Sequence, residues 1–242
     1  MTLLLLAGTS EARQIAWGLS THGVRAIASL AGATRSPDPL PLPTRIGGFG
    51  GQAGFETFLQ TEGIRAVLDA THPFASAITD RTAQVCAALS IPYLQVLRPA
   101  WSPEPGDHWT EIATEQDAAM HIRPGSTVFL ATGRQTLDRF SGLAGCRVLC
   151  RLIDPPTAPF PFAGGEFIIS RPPFSVEREL DLFAALGVDW LVVKNAGGTE
   201  SRTKLTAARH LGIPVLVLRR PTPPAAPCVA TVAQALDWVR AL

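Results

Sequence analysis

The segment Asp69-Ala-Thr-His-Pro-Phe-Ala75 carries residue types that could take a direct part in chemistry. It follows the apolar run Ala66–Leu68, which predicts a buried parallel strand, and it precedes a helical pattern. Thr71 and His72 are therefore predicted at a strand-to-helix corner, where open α/β sheets bind their ligands. A histidine at such a corner can exchange a proton near neutral pH, or it can serve as a polar wall of the site.

A second corner is predicted where the first strand, Leu3–Leu6, meets a helix that begins at Ser10. Its turn, Ala7-Gly-Thr-Ser-Glu11, lacks the GxGxxG pattern of dinucleotide sites. The turn does offer one glycine, two hydroxyls and a helix N-terminus, which together can hold a phosphate. A plain capping turn with Thr9 or Ser10 as the N-cap explains the same residues, so the turn alone leaves both interpretations open.

The end of the second predicted strand bears on the choice of dinucleotide. NAD sites place an acidic residue there for the ribose hydroxyls, whereas NADP sites place an arginine nearby for the 2′-phosphate. The segment Ser29–Arg35 has no acid before Asp38 and ends in an arginine. This pattern favours NADPH, and the alternative is that Arg35 is a solvent-exposed loop charge.

The segment Arg45-Ile-Gly-Gly-Phe-Gly-Gly51 has the most unusual composition in the chain. Glycine weakens strand interiors, so the segment predicts a loop whose backbone approaches a ligand closely, with Phe49 available to lie against a ring. The alternative is a mobile glycine linker, to which Phe49 and Arg45 are poorly suited.

Two further corners are predicted in the second half of the chain, at Ala131-Thr-Gly-Arg134 and at Lys194-Asn-Ala-Gly-Gly198. Lys204 follows on the next predicted helix. Cations at the ends of elements suggest a polyanionic ligand, since arginine binds carboxylates through two parallel hydrogen bonds. Ordinary surface charge is the alternative, and it is the stronger interpretation for Arg171 and Arg220.

Composition excludes several classes of function. The formal net charge of the 242 residues is +1, which gives no electrostatic argument for binding nucleic acid or an anionic membrane. The apolar start predicts a first strand rather than a signal peptide, and no run reaches the roughly 20 apolar residues of a transmembrane helix. The four cysteines lack metal-type spacing, so we expect reduced thiols, no metal site and a cytoplasmic protein.

Strand-like and helix-like segments alternate along the whole chain, which predicts an α/β fold with mainly parallel strands covered on both faces. We expect two Rossmann-like domains, one over about residues 1–97 and one over about 98–242. The boundary is approximate, and an exchange of strands between the two sheets would alter this simple division.

Taken together, these segments resemble the precorrin-6A reductase family of cobalamin biosynthesis. The Gly-Gly-Phe-Gly-Gly and Asp-Ala-Thr-His-Pro-Phe-Ala segments are the most specific matches, and one departure is Ala7 in place of a second glycine before Gly8. The remaining matches are Gly8–Ala12, Arg98–Trp101, Ala131–Arg134, Lys194–Gly198 and Lys204-Leu205.

The resemblance implies an NADPH-dependent oxidoreductase that acts on a CH–CH group. It implies two Rossmann-like domains with the active site in the cleft between them, NADPH on the first domain and a polycarboxylate tetrapyrrole against both. The implied reaction converts precorrin-6A to precorrin-6B, with a hydride added to C19 of the macrocycle and a proton added to C18.

The resemblance also implies roles for individual residues. Those implied for NADPH are Gly8, Thr9 and Ser10 at the pyrophosphate, Ser29 and Arg35 at the 2′-phosphate, Gly48, Phe49 and Gly50 along the ribose or nicotinamide, and Thr71 and His72 beside the nicotinamide or substrate. Those implied for substrate are Arg134, Lys194, Asn195, Gly197, Gly198 and Lys204. His72, Lys194 or a bound water could supply the proton, but a helix N-terminus disfavours an imidazolium, so we expect His72 mainly to position its neighbours.

Two alternatives stay open at this point. One is cobalt-precorrin-6A reductase of the anaerobic pathway, which is usually linked to NADH. The other is a non-catalytic NADP(H)-binding sensor, against which the cationic corners of the second half argue. For an enzyme of this pathway we also expect transient contacts with the neighbouring pathway enzymes.

Overall fold

The computed structural model describes residues 1–32 and 38–242. The predicted cofactor residue Arg35 therefore lies outside the described residues. The chain forms two compact units, one built from Met1–Pro99 together with Pro221–Leu242 and one from Ala100–Arg220. The C-terminal segment Pro221–Leu242 therefore belongs to the first unit. The sequence-based expectation instead divides the chain once, near residue 97.

The helices and strands alternate as the sequence indicates. The strands are β1 Thr2–Leu6, β2 Ala26–Leu30, β3 Thr44–Ile46, β4 Ile64–Asp69, β5 Tyr93–Val96, β6 Trp109–Ile112, β7 Thr127–Ala131, β8 Arg147–Leu152, β9 Gly165–Ile169, β10 Trp190–Lys194, β11 Val215–Leu218 and β12 Cys228–Val229. The α-helices are α1 Ser10–Thr21, α2 Gly51–Thr61, α3 Ser76–Ala88, α4 Val176–Leu186, α5 Thr203–His210 and α6 Val232–Arg240. Two 3₁₀ segments cover Glu115–Met120 and Leu137–Leu143.

The first unit contains a six-stranded parallel sheet in the order β12-β5-β4-β1-β2-β3. Leu3 and Leu5 of β1 pack on the side that also holds residues of α1 and α6. Leu4 and Leu6 face the other side, where residues of α2 and α3 pack. Because both faces of β1 are covered, its five residues are all buried.

The C-terminal segment joins this sheet through β12, which pairs with β5. Ala235 and Val239 of α6 are buried in the same cluster as α1. Gly18 of α1 allows the close approach, because a Cβ there would lie 2.7 Å from Leu236 Cδ1. Burial of the apolar face of α6 against α1 is the physical reason why the chain returns to the first unit.

The second unit contains a second six-stranded parallel sheet, in the order β6-β11-β10-β7-β8-β9. One face is covered by α4 and α5, whose Phe183 and Leu205 are buried with Phe129 of β7 and Val193 of β10. The α/β class and the parallel strands predicted from the sequence are confirmed in both units.

Several boundaries differ from the sequence-based expectation. The sequence pattern predicts one helix over Phe74–Leu89 and another from Glu115. The first begins at Ser76, and the second is a 3₁₀ segment. The edge strands β3, β9 and β12 were not predicted, because they are only three, five and two residues long and lie among glycines and prolines.

Candidate functional site

The predicted cofactor residues that the structure describes lie along the carboxyl edge of the first sheet. The sheet order places the ends of β4, β1, β2 and β3 side by side. Thr71 and His72 follow β4, and Gly8 and Thr9 follow β1. Ser29 is the penultimate residue of β2, and the glycine-rich segment continues from β3. In an open parallel sheet this edge is the usual place for a ligand.

The turn after β1 is organised by Thr9 rather than by Ser10. Thr9 is the N-cap of α1, and its Oγ1 accepts a hydrogen bond from the Ala12 N–H at 3.1 Å. The same hydroxyl donates to the Ala70 carbonyl at 2.7 Å, which ties this corner to the one after β4. Gly8 has a φ of +135°, which other residues rarely adopt. With the Thr9 hydroxyl engaged in structure, the remaining N–H groups of the first turn are the donors available to a phosphate.

A balanced ion pair lies at the start of α1. The Ser10 hydroxyl donates to Glu11 Oε2 at 3.2 Å, and Arg98 Nη1 donates to the same oxygen. Both charged side chains are mostly buried, with 13% and 19% of their side-chain surfaces exposed. Arg98 therefore offsets the negative charge that Glu11 would otherwise present to an anion at this turn.

The corner after β4 is held by the fully buried carboxylate of Asp69. Asp69 Oδ1 accepts hydrogen bonds from the Thr71 N–H at 3.0 Å and from the Thr71 hydroxyl at 2.7 Å. Its other oxygen accepts from the Tyr93 hydroxyl at 3.1 Å. Burial, followed by the charge of Asp69, raises the pKa of Tyr93 far above its ordinary value, so the phenol stays protonated as a donor. This network sets the backbone direction of Thr71 and hence of His72.

The ring of His72 is held in one tautomer. Its Nδ1 accepts a hydrogen bond from the Phe74 N–H at 3.2 Å, which requires that Nδ1 carry no proton. This contact selects the tautomer that carries its proton on Nε2. This geometry supports His72 as a polar positioning group, because an imidazolium proton donor would lose the bond to Phe74.

The segment after β3 forms a compact structure around Arg45, which was not among the predicted site residues. Arg45 Nη1 donates to the Ser29 hydroxyl at 2.7 Å and to the Gly47 carbonyl at 2.9 Å, and Nη2 donates to the Gly48 carbonyl at 2.8 Å. Its guanidinium lies 4.0 Å from the centroid of the Phe49 ring. Arg45 is thus fixed beside Ser29 at the end of β2, where NADP sites hold the 2′-phosphate.

A second arginine adds positive charge to the same region. The Arg81 guanidinium of α3 lies 5.7 Å from the Phe49 centroid and 5.3 Å from the Phe55 centroid. Burial lowers the pKa of both Arg45 and Arg81. Over residues 1–32 and 38–242, neither arginine forms an ion pair with a carboxylate. The region around Phe49 is therefore suited to an anion.

Phe49 itself packs within the protein. Its ring makes edge contacts with Phe55 and Phe58 of α2, with centroid distances of 4.8 and 5.1 Å. Gly48 and Gly50 are exposed. The Phe49 ring thus contacts two aromatic side chains of α2 and the Arg45 guanidinium. The predicted contact of Phe49 with a ring of the ligand would therefore be made through Arg45.

In the second unit, the Asn195 side chain is hydrogen-bonded to the backbone of Trp101, near the start of that unit. Its Oδ1 accepts from the Trp101 N–H at 2.8 Å, and its Nδ2 donates to the Trp101 carbonyl at 3.0 Å. The Trp101 indole N–H donates to the Gly198 carbonyl at 2.6 Å. Asn195 and Trp101 together shape the Gly197–Gly198 turn, and a contact of Asn195 with the substrate stays a prediction.

Lys204 faces a buried ion pair. Arg151 and Glu179 are joined by two hydrogen bonds of 2.6 Å, and both are buried. Burial, partly offset by the charge of Glu179, lowers the pKa of Lys204 to about 8. Its ammonium donates to the Ser201 carbonyl and lies 5.8 Å from the Trp101 ring. The bond to Ser201 joins the ammonium to the turn before α5.

Lys194 and Arg134 lie at the carboxyl edge of the second sheet. Lys194 is the last residue of β10 and is half-buried, and burial lowers its pKa despite the opposing effect of Glu115. Arg134 is exposed in the turn after β7. Since β10 and β7 are neighbours in the sheet, these two cations lie at or just after the ends of adjacent strands.

Two absences among the described residues bear on other kinds of site. No group of three or more His, Cys, Asp or Glu side chains in this part of the chain is arranged to hold a metal ion. Within the same residues, no helix has both the length and the apolarity needed to cross a bilayer. The four cysteines are free thiols, and Cys86, Cys146 and Cys150 are buried.

Comparison with known proteins places this architecture in a family. The family model described as "Precorrin-6x reductase CbiJ/CobK" matches residues 2–240. The chain is 44% identical over 244 residues to precorrin-6A reductase of Rhodococcus erythropolis, covering 99% of this chain and 98% of that protein. It is 40% identical over 239 residues to the enzyme of the same name from Rhodobacter capsulatus, covering 98% and 95%.

Similarity extends to a solved structure and, more weakly, to relatives named cobalt-precorrin-6A reductase. A structure titled "CobK precorrin-6A reductase" superposes with a TM-score of 0.95 at 39% identity, covering all of this chain and 96% of that chain. Cobalt-precorrin-6A reductase of Priestia megaterium is 27% identical over 232 residues, covering 90% of each chain. The chain belongs to the CbiJ/CobK precorrin-6x reductase family.

Proposed function

We propose that this protein reduces one carbon–carbon double bond of precorrin-6A with NADPH, giving precorrin-6B in cobalamin biosynthesis. Relatives named precorrin-6A reductase match it at 37–44% identity over nearly its full length, which supports this substrate and an oxidoreductase acting on a CH–CH group. Relatives named cobalt-precorrin-6A reductase match at 24–27%, which favours the metal-free macrocycle over the cobalt form.

The observation that carries the cofactor assignment is the contact of Arg45 with Ser29. In this proposal the N–H groups of the Gly8–Ser10 turn bind the pyrophosphate. Ser29 and Arg45, together with Arg35 of the segment that the structure leaves undescribed, bind the 2′-phosphate. No acidic residue follows β2 before Asp38, so the ribose end of the site favours NADPH over NADH.

The nicotinamide then lies at the corner after β4. Thr71 and His72 border it, with Asp69 holding that corner through the two bonds to Thr71. Bound NADPH would supply the hydride that is added to C19, and a proton would be added to C18, so the product would gain two hydrogens. His72 is assigned as a positioning group because its Nδ1 accepts from Phe74, and a bound water is assigned as the proton source.

The substrate carboxylates bind to the second unit in this proposal. Arg134 and Lys194 supply charge at the carboxyl edge of its sheet, and the Gly197–Gly198 turn supplies backbone N–H groups. Asn195 and Lys204 hold this turn in place through their hydrogen bonds to Trp101 and Ser201. The macrocycle carries many acetate and propionate groups, so several cations are needed to neutralise it.

The test is oxidation of NADPH by the purified protein in the presence and absence of precorrin-6A. We expect absorbance loss only with precorrin-6A and a product heavier by two hydrogens. NADPH carrying deuterium at the transferable position should place one deuterium in the product. NADPH binding without any turnover would instead identify a sensor, and faster turnover of cobalt-precorrin-6A would identify the enzyme of the anaerobic pathway.

A further inference from the structure

Arg81 of α3 is a half-buried cation without a counter-charge in the part of the chain that the structure describes. It forms no ion pair among residues 1–32 and 38–242, and residues 33–37 include no Asp or Glu. A charge that is partly removed from water and left unpaired destabilises the folded state. Part of the side chain is exposed to solvent, so an anion from solution can reach it.

The guanidinium of Arg81 lies toward the carboxyl edge of the first sheet. α3 begins at Ser76, after the corner that follows β4, and Arg81 lies in its second turn. Side chains of a helix lean toward its N-terminus, and the Arg81 guanidinium lies 5.7 Å from the centroid of the Phe49 ring. Phe49 directly precedes Gly50, the N-cap of α2, at the same edge. The charge of Arg81 is therefore on the side of the sheet where the cofactor is proposed to bind.

Arg45 lies beside the same aromatic ring. Its guanidinium is 4.0 Å from the Phe49 centroid, and burial lowers the pKa of both arginines. Two cations near one ring repel each other, and the attraction to an aromatic face compensates only in part because the ring carries no net charge. The region around Phe49 therefore has an excess of positive charge.

The acids of the two neighbouring helices do not offset this charge. Glu56 of α2 accepts a hydrogen bond from Gln52 at 2.8 Å, and Asp80 is the acid within α3. Among the described residues, neither carboxylate forms an ion pair with Arg45 or Arg81. The fold thus brings two arginines together and leaves the counter-charge to another molecule.

The 2′-phosphate of NADPH matches this excess of charge. A phosphate monoester carries a charge of about −1.5 to −2 at neutral pH, so one arginine does not neutralise it. Each phosphate of the pyrophosphate carries a single negative charge, and in the proposed function the N–H groups of the Gly8–Ser10 turn bind it. Arg45 donates to Ser29 at the end of β2, where the 2′-phosphate of an NADP site is held.

We propose that Arg81 binds the 2′-phosphate of NADPH together with Arg45, with both guanidinium groups placed by the Phe49 ring. This inference rests on the proposed function, and it adds a residue of α3 that determines cofactor specificity. NADPH and NADH differ only in the 2′-phosphate. Loss of Arg81 therefore affects the binding of NADPH and leaves the binding of NADH nearly unchanged.

The test measures the cofactor affinity of Arg81→Met. Methionine keeps much of the apolar length of the side chain but removes the charge, so the Kd for NADPH should rise about tenfold or more. The Kd for NADH should stay near wild type. The melting temperature without cofactor should be equal or higher, because an unpaired cation is removed. Arg81→Lys keeps the charge and should retain part of the preference for NADPH.

Adenosine 2′,5′-bisphosphate and adenosine 5′-monophosphate isolate the contribution of the phosphate, because they differ only in the 2′-phosphate. Arg81→Met should weaken the binding of the first and leave that of the second unchanged. Since Arg45 and Arg81 bind one phosphate in this proposal, the losses in Arg45→Met and Arg81→Met should not be additive in the double variant. Arg65→Met is the control, because Arg65 is exposed near the amino end of β4, and its Kd values should match wild type.

Four outcomes overturn this inference while the proposed function stands. They are a wild-type Kd for NADPH in Arg81→Met, equal losses for NADPH and NADH, additive losses in the double variant, and a marked fall in the melting temperature of Arg81→Met. Equal losses would assign Arg81 to the pyrophosphate, and a fall in melting temperature would assign it to the fold. If the wild-type protein binds NADH as tightly as NADPH, the cofactor assignment of the proposed function fails and the role of Arg81 fails with it.

Discussion

Arg45 and Ser29 are joined by a 2.7 Å hydrogen bond between the guanidinium and the hydroxyl, although 16 positions separate them in sequence. The bond exists because β2 and β3 are parallel neighbours in which Ser29 is paired with Arg45. Stacking on Phe49 and two bonds to the carbonyls of Gly47 and Gly48 hold the guanidinium in place. A pre-positioned arginine loses little conformational entropy when it binds a phosphate.

Replacement of Arg45 should reduce discrimination between NADPH and NADH. A hydrogen bond to a charged group contributes about 1.5–3 kcal/mol, so the Kd of Arg45→Ala for NADPH should rise about tenfold to 100-fold. The Kd for NADH should change much less, because NADH lacks the 2′-phosphate. Titration of cofactor fluorescence measures both values.

Arg25→Ala is a suitable control for this measurement, since Arg25 is exposed and precedes the other end of β2. Arg35→Ala should be measured beside Arg45→Ala, because both arginines are proposed for the same phosphate. Equal losses for NADPH and NADH in Arg45→Ala would exclude it from the 2′-phosphate site.

Asp69→Asn should destabilise the first unit and weaken cofactor binding. The buried carboxylate accepts three hydrogen bonds, two from Thr71 and one from Tyr93. An amide has one accepting oxygen and one donating NH₂ group, so it cannot accept all three hydrogen bonds. The free energy of unfolding should therefore fall by about 2–3 kcal/mol. Urea denaturation measures this loss, and Glu62→Gln, an exposed substitution in the same unit, should be near neutral. Wild-type stability in Asp69→Asn would show that the network does not hold the corner.

Gly54→Ala should displace the glycine-rich segment before α2. A Cβ at Gly54 would lie 1.8 Å from the Phe49 carbonyl oxygen, which is backbone and cannot rotate away. We expect lower stability despite the better helix propensity of alanine, which is worth about 1 kcal/mol, and a weaker Kd for NADPH. Thermal denaturation and cofactor titration measure the two effects.

Gly48→Ala is the control for the packing effect in this segment. A Cβ at Gly48 would have no neighbour within 4 Å, so its melting temperature should match wild type. Unchanged stability and NADPH affinity in Gly54→Ala would mean that the segment adapts without loss, contrary to its proposed part in the cofactor site.

Lys204→Met should change how stability depends on pH. The folded-state pKa of Lys204 is lowered to about 8 from an ordinary value of 10.5, so the unfolded chain binds more protons between these two pH values. Lys204 therefore destabilises the fold below pH 8, and this penalty disappears as the pH rises toward 10.5. The advantage of Lys204→Met over wild type should be largest near pH 7 and should decline above about pH 8.

The comparison with the variant is needed because other groups have the opposite effect. Burial raises the pKa of Cys86 and Cys150 to about 12 and raises that of Tyr93 as well, so total stability should fall in alkaline solution. These contributions are common to both proteins and cancel in the difference between their unfolding free energies. A difference that is constant from pH 7 to 10 would contradict the lowered pKa of Lys204.

Local patterns in the sequence predict the α/β class, the corners after β1, β4, β7 and β10, and the family. Apolar runs and helical spacing depend on neighbouring residues, so they indicate each element without knowledge of its partners. The motif that contains His72 likewise indicates its corner, because the strand ends and the turn begins within a few residues. The predicted start of the following helix was wrong by two residues, since turn and helix starts share residue preferences.

The tertiary structure alone decided which distant residues meet. It placed β12 and α6 with the first unit, brought Arg45 to Ser29, and connected Thr9 to the Ala70 carbonyl. It also showed that the amide of Asn195 is engaged with Trp101. The physical reason is that strand order and register are set by burial of both faces of a sheet, which involves the whole chain. A sequence pattern predicts that a residue lies at a strand end, but the residue that lies beside it depends on which strands become neighbours.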